Sequence, residues 1–223
     1  MIQTKGKILL IDAGPDFREQ MLRYNTDNQL DAILLTHEHR DHIAGLDDVR
    51  PYNFIQKRSV PVYAEKNVLE AVKNRFSYSF VEEEPYKYGV PKFDLREIRN
   101  KEFYIDNIKI QPIRVYHSMP MFGYRIGDFA YITDAKKIED EEKAKLTGVK
   151  ILVVNALRIK EHPTHFNLEE ALKLIKQIQP QQAYLTHMSH KIGKHSDLEK
   201  KLPKNVKPAY DGLVISSKIF EKK

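Results

Sequence analysis

The sequence predicts an α/β protein built in layers with mixed sheet content. Short apolar runs rich in β-formers recur along the whole chain, segments with helical spacing lie between them, and no repeat or Gly/Ser linker breaks the alternation. At about 150 residues per domain, the 223 residues read as a single domain spanning 1–223. Apolar residues make up 41% of the chain, ordinary globular usage that supports a sizeable core and argues against disorder.

Strands are expected at Lys7–Ile11, Ala32–Thr36, Val60–Ala64, Phe103–Val115, Tyr124–Thr133, Ile151–Val154, Ala183–Thr186 and Leu213–Ser216. Within the fourth, Asp106 and Asn107 separate two apolar stretches, which is the turn chemistry of an antiparallel hairpin. Continuous runs such as Ile151–Val154 suit strands covered on both faces. The clearest helix starts at Asn167, whose capping-box partner is Glu170; Leu168, Ala171, Leu172, Ile175 and Ile178 follow at helical spacing until Pro180. Ser196 with Glu199 repeats that signature ahead of Leu202, and Asn67–Arg75 and Ile138–Leu146 read as surface helices with one apolar stripe.

Cysteine is absent, which excludes disulfides, thiolate metal sites and cysteine nucleophiles, and suits a reducing cytoplasm. The longest clean apolar runs, such as Ile8–Ile11, span four residues, against the roughly 18 to 20 needed to cross a bilayer. Neither a membrane span nor a secretory signal is expected. Of the net charge of +6, the segment from His190 onward carries nine lysines against four acids. Without interleaved aromatic residues, that tail reads as a solvated lysine face before a nucleic-acid surface.

The chemistry concentrates in His37, Glu38, His39, Arg40, Asp41 and His42, directly after an apolar run. In an extended loop residues 37, 39 and 41 project to one side, and a turn at Asp41 can bring His42 beside them. Such a pattern arises by chance in roughly one sequence in a thousand of this composition. As a bare surface turn, adjacent imidazoles would repel when protonated, a cost that a metal removes. Four donors exceed one open zinc site and fall short of two, so further ligands are required. Candidates close apolar runs elsewhere: His117 after Ile113–Tyr116, Asp134 after Ala130–Thr133, and His187 after Ala183–Thr186.

Asp12 within Leu10–Gly14, the His37–His42 cluster, His117, Asp134 and His187 together resemble the five ordered motifs of the metallo-β-lactamase fold hydrolases. The segments Gly14–Arg18, Gly123–Ala135, Asn155–Arg158, His165–Ala171 and Ala209–Gly212 resemble the branch that contains the phosphoribosyl cyclic phosphodiesterases, and more distantly ribonuclease Z.

That resemblance implies an αββα sandwich of two mixed β-sheets flanked by helices, and a metal-dependent hydrolase acting on a small or cyclic phosphodiester through a metal-bridging hydroxide. It implies two divalent ions, Zn²⁺ or Mn²⁺, one held by His37, His39 and His117, the other by Asp41, His42 and His187, with Asp134 shared. Asp41 and His165 are the implied catalytic residues, His165 beside the substrate phosphate to stabilise the transition state or protonate the leaving oxygen. Arg158 is a candidate phosphate ligand, Asp12 a support for a histidine ligand, and Asp211 the start of a turn. Family members begin with a strand and a Gly-rich loop ahead of the stretch that matches Ile2 onward, so residues preceding Met1 are expected to be absent from this sequence. A structural zinc site involving His190 would need cysteines, so it cannot be complete here. Two alternatives stay open: hydrolysis of a thioester or lactone, and a metal-bound nucleic-acid binding module without turnover. A homo-oligomer is compatible with all of these.

Overall fold

Strands of three to nine residues, most of them built around the short apolar runs, form two mixed sheets. The computed structural model describes residues 1–24, 29–81 and 89–216. The chain divides into two units, Met1–Lys101 with Ile105–Ile108, and Glu102–Tyr104 with Lys109 onward.

The first unit contains β1 (Ile2–Thr4), β2 (Lys7–Ile11), α1 (Phe17–Tyr24), β3 (Ala32–Leu34), α2 (Arg40–Ile43), α3 (Arg50–Gln56), β4 (Val60–Ala64), α4 (Lys66–Arg75) and β5 (Phe93–Glu97). Its sheet runs β1-β2-β3-β4-β5, with β1 antiparallel to β2 and every other pair parallel. β3 is buried along its whole length, which explains its unbroken apolar sequence. Phe17, Leu46, Val49, Val68 and Val72 pack with Leu10, Ile33 and Val62 into one core. β1 and β5 escape the sequence pattern because they are the two outer strands of this sheet, where polar residues such as Gln3, Asp94 and Arg96 are tolerated.

The second unit contains, apart from Ile105 and Ile108, β6 (Phe103–Ile105) and β7 (Ile108–Tyr116), followed by β8 (Pro120–Ile126), β9 (Phe129–Ile132), α5 (Asp140–Ala144), β10 (Ile151–Asn155), α6 (Leu168–Ile178), β11 (Gln182–Thr186), α7 (His195–Glu199) and β12 (Val206–Pro208). Its sheet runs β12-β11-β10-β9-β8-β7-β6; β9 to β12 pair in parallel, and β7, β8 and β9 antiparallel. The expected hairpin forms, with Asp106 at φ 50° in its turn. The capping box of α6 is complete: Asn167 accepts from Glu170 N at 2.9 Å, and the Glu170 carboxylate accepts from Asn167 N at 2.9 Å. Ala171, Leu174 and Ile175 carry the buried face of α6 into a core with Leu152, Val154 and Leu185.

Four expectations are corrected. Tyr124–Thr133 is not one strand: Gly127 and Asp128 turn the chain, and β8 and β9 pair antiparallel across that turn. α7 begins at His195 with Lys194 at its N-cap and no side-chain cap bond, so Ser196 does not start it and Leu202 lies beyond its end. α5 is shorter than Ile138–Leu146, because Glu139 already takes the extended cap conformation. Leu213–Ser216 carries no strand: the chain turns there, with Leu213 N donating to Tyr210 O at 3.1 Å, and Val214 is left exposed. Among the described residues no helix is long and apolar enough to cross a membrane.

Candidate metal centre

The first unit brings four donor residues together on the loop after β3 and on α2. His37 is fully buried and His42 nearly so, while His39 is half-buried and Asp41 exposed. His37 Nε2 lies 2.9 Å from His39 Nδ1, and His42 Nε2 lies 3.4 Å from the Asp41 carboxylate. The loop after β2 braces this cluster. Ala13 N donates to His42 O at 2.7 Å, and Gly45 N donates to Ala13 O at 2.8 Å. Glycine is required at 45, since a Cβ there would stand 2.1 Å from Gly14 O and 2.7 Å from the Phe17 Cβ.

Asp12 sets the hydrogen positions. Its carboxylate accepts from Thr36 N at 2.8 Å, from the Thr36 hydroxyl at 2.8 Å and from His42 Nδ1 at 2.7 Å. A carboxylate only accepts, so His42 carries its hydrogen on Nδ1 and presents Nε2 as the lone-pair nitrogen. Thr36 has one hydroxyl hydrogen, already given to Asp12, so at 3.0 Å it must accept from His37 Nδ1. His37 thereby also keeps Nε2 as its lone-pair donor. Imidazoles whose Nδ1 is tied to a hydrogen-bond acceptor are the arrangement that suits metal ligation.

The second unit collects His117, Asp134, His165 and His187. His117 directly follows β7 and donates from Nδ1 to Thr164 O at 2.7 Å, which again leaves Nε2 with the lone pair. Asp134 follows β9, is 2% exposed, and accepts from the Thr133 hydroxyl at 2.6 Å. His187 Nε2 stands 3.1 Å from Asp134 Oδ1, and His165 Nε2 stands 3.6 Å from Oδ2. The ligand atoms of His117 and Asp134 lie within 4.8 Å of each other. Asp12, Asp134 and His187 all take a left-handed backbone, with φ of 56°, 52° and 52°. Each sits just past a strand and turns the chain away from the ladder.

Asn155 is a support that its sequence motif did not reveal. Fully buried on β10, it accepts from Ala135 N at 2.9 Å and donates to Ala135 O at 3.1 Å, clamping the backbone beside Asp134. His162 was also missed, because it lies in a loop with no apolar period. Its Nδ1 accepts from Thr164 N at 3.3 Å and lies 3.2 Å from His165 Nδ1. Desolvation, then the neighbouring His165 and Arg158, lower the His162 pKa and favour its neutral form.

Arg158 donates to Lys160 O at 3.2 Å and to Glu161 O at 2.5 Å, so its guanidinium closes the loop that leads to His162. Asp211 lies in the exposed turn between Tyr210 and Leu213. His190 opens a short 3₁₀ turn, His190–Ile192, after β11.

The family model described as the beta-lactamase superfamily domain matches residues 7–188. A protein of Porphyromonas gingivalis named octanoyltransferase is 41% identical over 216 residues, which are 96% of this chain and 43% of that protein. A ribonuclease Z of Alkaliphilus oremlandii is 24% identical over 158 residues, 65% of this chain and 49% of the enzyme. The chain therefore spans less than half the length of either. Among solved structures, a diphosphatase of the PhnP family is 36% identical with a TM-score of 0.86, covering 95% of this chain and 80% of that one.

Proposed function

The chain belongs to the beta-lactamase superfamily domain family, a family of mostly metal-dependent hydrolases, and from that membership we propose that it hydrolyses a small phosphodiester with two bound divalent ions. The carrying observation is the tautomer pattern: His37, His42 and His117 each have Nδ1 engaged by an acceptor and Nε2 left as a lone-pair donor. Nitrogen and carboxylate donors of this kind fit Zn²⁺ or Mn²⁺.

In the proposed assignment His37, His39 and His117 hold one ion, Asp41, His42 and His187 the other, and Asp134 serves both. When bound, two such ions supply a nucleophilic water near neutral pH and offset charge on a phosphoryl oxygen. Asp12 fixes the ring orientation of His42 and, through Thr36, that of His37. Asn155 holds the backbone at Asp134. Asp41, the most exposed of the donors, completes the site from the first turn of α2. His165 is assigned to the substrate, where its Nε2 stabilises the transferring phosphoryl group or protonates the leaving oxygen. Arg158 contributes by shaping the 158–161 loop.

Phosphodiester specificity is supported by the 36% identical PhnP-family diphosphatase and, more distantly, by ribonuclease Z. The octanoyltransferase name of the Porphyromonas relative favours a second reading, cleavage of an acyl ester or thioester. A substrate panel decides. Protein loaded with Zn²⁺ or Mn²⁺ is expected to bind two ions per chain and to cleave cyclic or linear phosphodiesters in preference to octanoyl thioesters, lactones and β-lactams. A ceiling of one ion per chain, or efficient turnover of an acyl substrate with none of phosphodiesters, refutes the proposal.

A further inference from the structure

The segment His162, Pro163, Thr164, His165 packs two imidazoles against one another without a charged partner between them. The ring centroids of His162 and His165 are 4.9 Å apart in an edge-on arrangement, and their Nδ1 atoms are 3.2 Å apart. The Thr164 hydroxyl lies between, 3.0 Å from His165 Nδ1 and 3.4 Å from His162 Nδ1. The direction of the hydrogen bonds follows from one fixed donor. Thr164 N can only donate, and it donates to His162 Nδ1 at 3.3 Å, so that nitrogen is a lone-pair acceptor. Two facing Nδ1 lone pairs would repel at this distance. The hydrogen must therefore sit on His165 Nδ1, reaching His162 directly or by way of the Thr164 hydroxyl. Arg158 keeps the segment in place by bonding the carbonyls of Lys160 and Glu161 just ahead of it.

We propose that His162 is a positioning residue for His165, accepting its Nδ1 hydrogen so that Nε2 is the nitrogen turned to the substrate. This deepens the phosphodiesterase reading, on which the role of His165 rests. With Nδ1 committed, a hydrogen taken up from solvent goes to Nε2, the doubly protonated ring can pass that hydrogen to a leaving oxygen, and the ring then returns to its Nδ1–H form. The same segment also serves His117, because Thr164 O accepts its Nδ1 hydrogen. One short segment thus sets the tautomers of two neighbouring rings.

The test is long-range ¹H–¹⁵N NMR of the zinc-loaded protein, with the His165 ring assigned by its disappearance in His165→Gln. The Nδ1–H tautomer is expected in the wild type and in His162→Asn, whose Oδ1 stands near the lost acceptor. It should give way to Nε2–H or an average in His162→Phe, which keeps the ring's bulk without an acceptor. In kinetics, His162→Phe should lower kcat on an alkyl phosphodiester by about tenfold or more at unchanged KM and ion content, with His162→Asn within about threefold of wild type. An Nε2–H tautomer in the wild type overturns the proposal, even if His162→Phe does not fold. So does a His165 pattern indifferent to His162→Phe, or equal kcat in the Phe and Asn variants. If the wild type cleaves no phosphodiester but the tautomer follows His162 as described, the positioning role stands and the phosphodiesterase reading falls.

Discussion

His42 gives its Nδ1 hydrogen to the Asp12 carboxylate at 2.7 Å across thirty residues of sequence. The same carboxylate takes the Thr36 hydroxyl hydrogen, so one acid settles the tautomers of two histidines, His42 directly and His37 through Thr36.

Asp12→Asn isolates that function, because asparagine tolerates the left-handed backbone at this position and keeps the side chain's shape. Metal affinity should fall by about 10- to 100-fold, read by dialysis against graded chelator. Retention of both ions at wild-type chelator concentrations would show that His37 and His42 need no such support.

Asp134→Ala should abolish activity and release metal, whereas Asp211→Ala should leave both within about twofold of wild type, as befits an exposed turn residue. Activity and ion content measured on the same preparations decide this. Comparable losses in the two variants would remove Asp134 from its shared position.

His165→Ala should reduce phosphodiester cleavage by roughly 10² to 10⁴ while ion content stays intact. If proton donation is its main role, the loss for a nitrophenyl diester is smaller than for an alkyl diester; equal losses assign it to charge stabilisation. Loss of metal would make it a ligand, and full activity on both esters would exclude it from the reaction.

Gly45→Ala tests the packing beneath the centre. The added methyl would meet Gly14 O and Phe17 at impossible distances, so the loop after β2 must shift. A loss of about 3 kcal/mol is expected, lowering Tm by about 6–12 °C in thermal unfolding. An unchanged Tm would mean that this loop gives way freely.

Strands such as β2, β4 and β10 were legible because burial on both faces writes itself as an unbroken apolar run. β1, β5 and β12 were not, since a short outer strand needs little apolar sequence and β12 even contains Pro208. Leu213–Ser216 shows the opposite failure, β-forming residues that find no place in a sheet. At the centre, donor residues announce themselves by type and spacing. Their supports do not: Asn155, Thr164 and His162 act through backbone groups and ring tautomers, and only coordinates reveal which atoms those meet.

The left-handed backbone at Asp12, Asp134 and His187 sets folding against chemistry at three positions. Each conformation costs about 1 kcal/mol relative to glycine, which adopts it freely. At Asp12 the hydrogen bonds from Thr36 and His42 outweigh that cost, but a library selected only for survival of heat should accumulate glycine at Asp134 and His187 and emerge sturdier but inert. For the same reason, a lineage released from its catalytic duty would be expected to decay there first, with its sheets intact long after its reaction is gone.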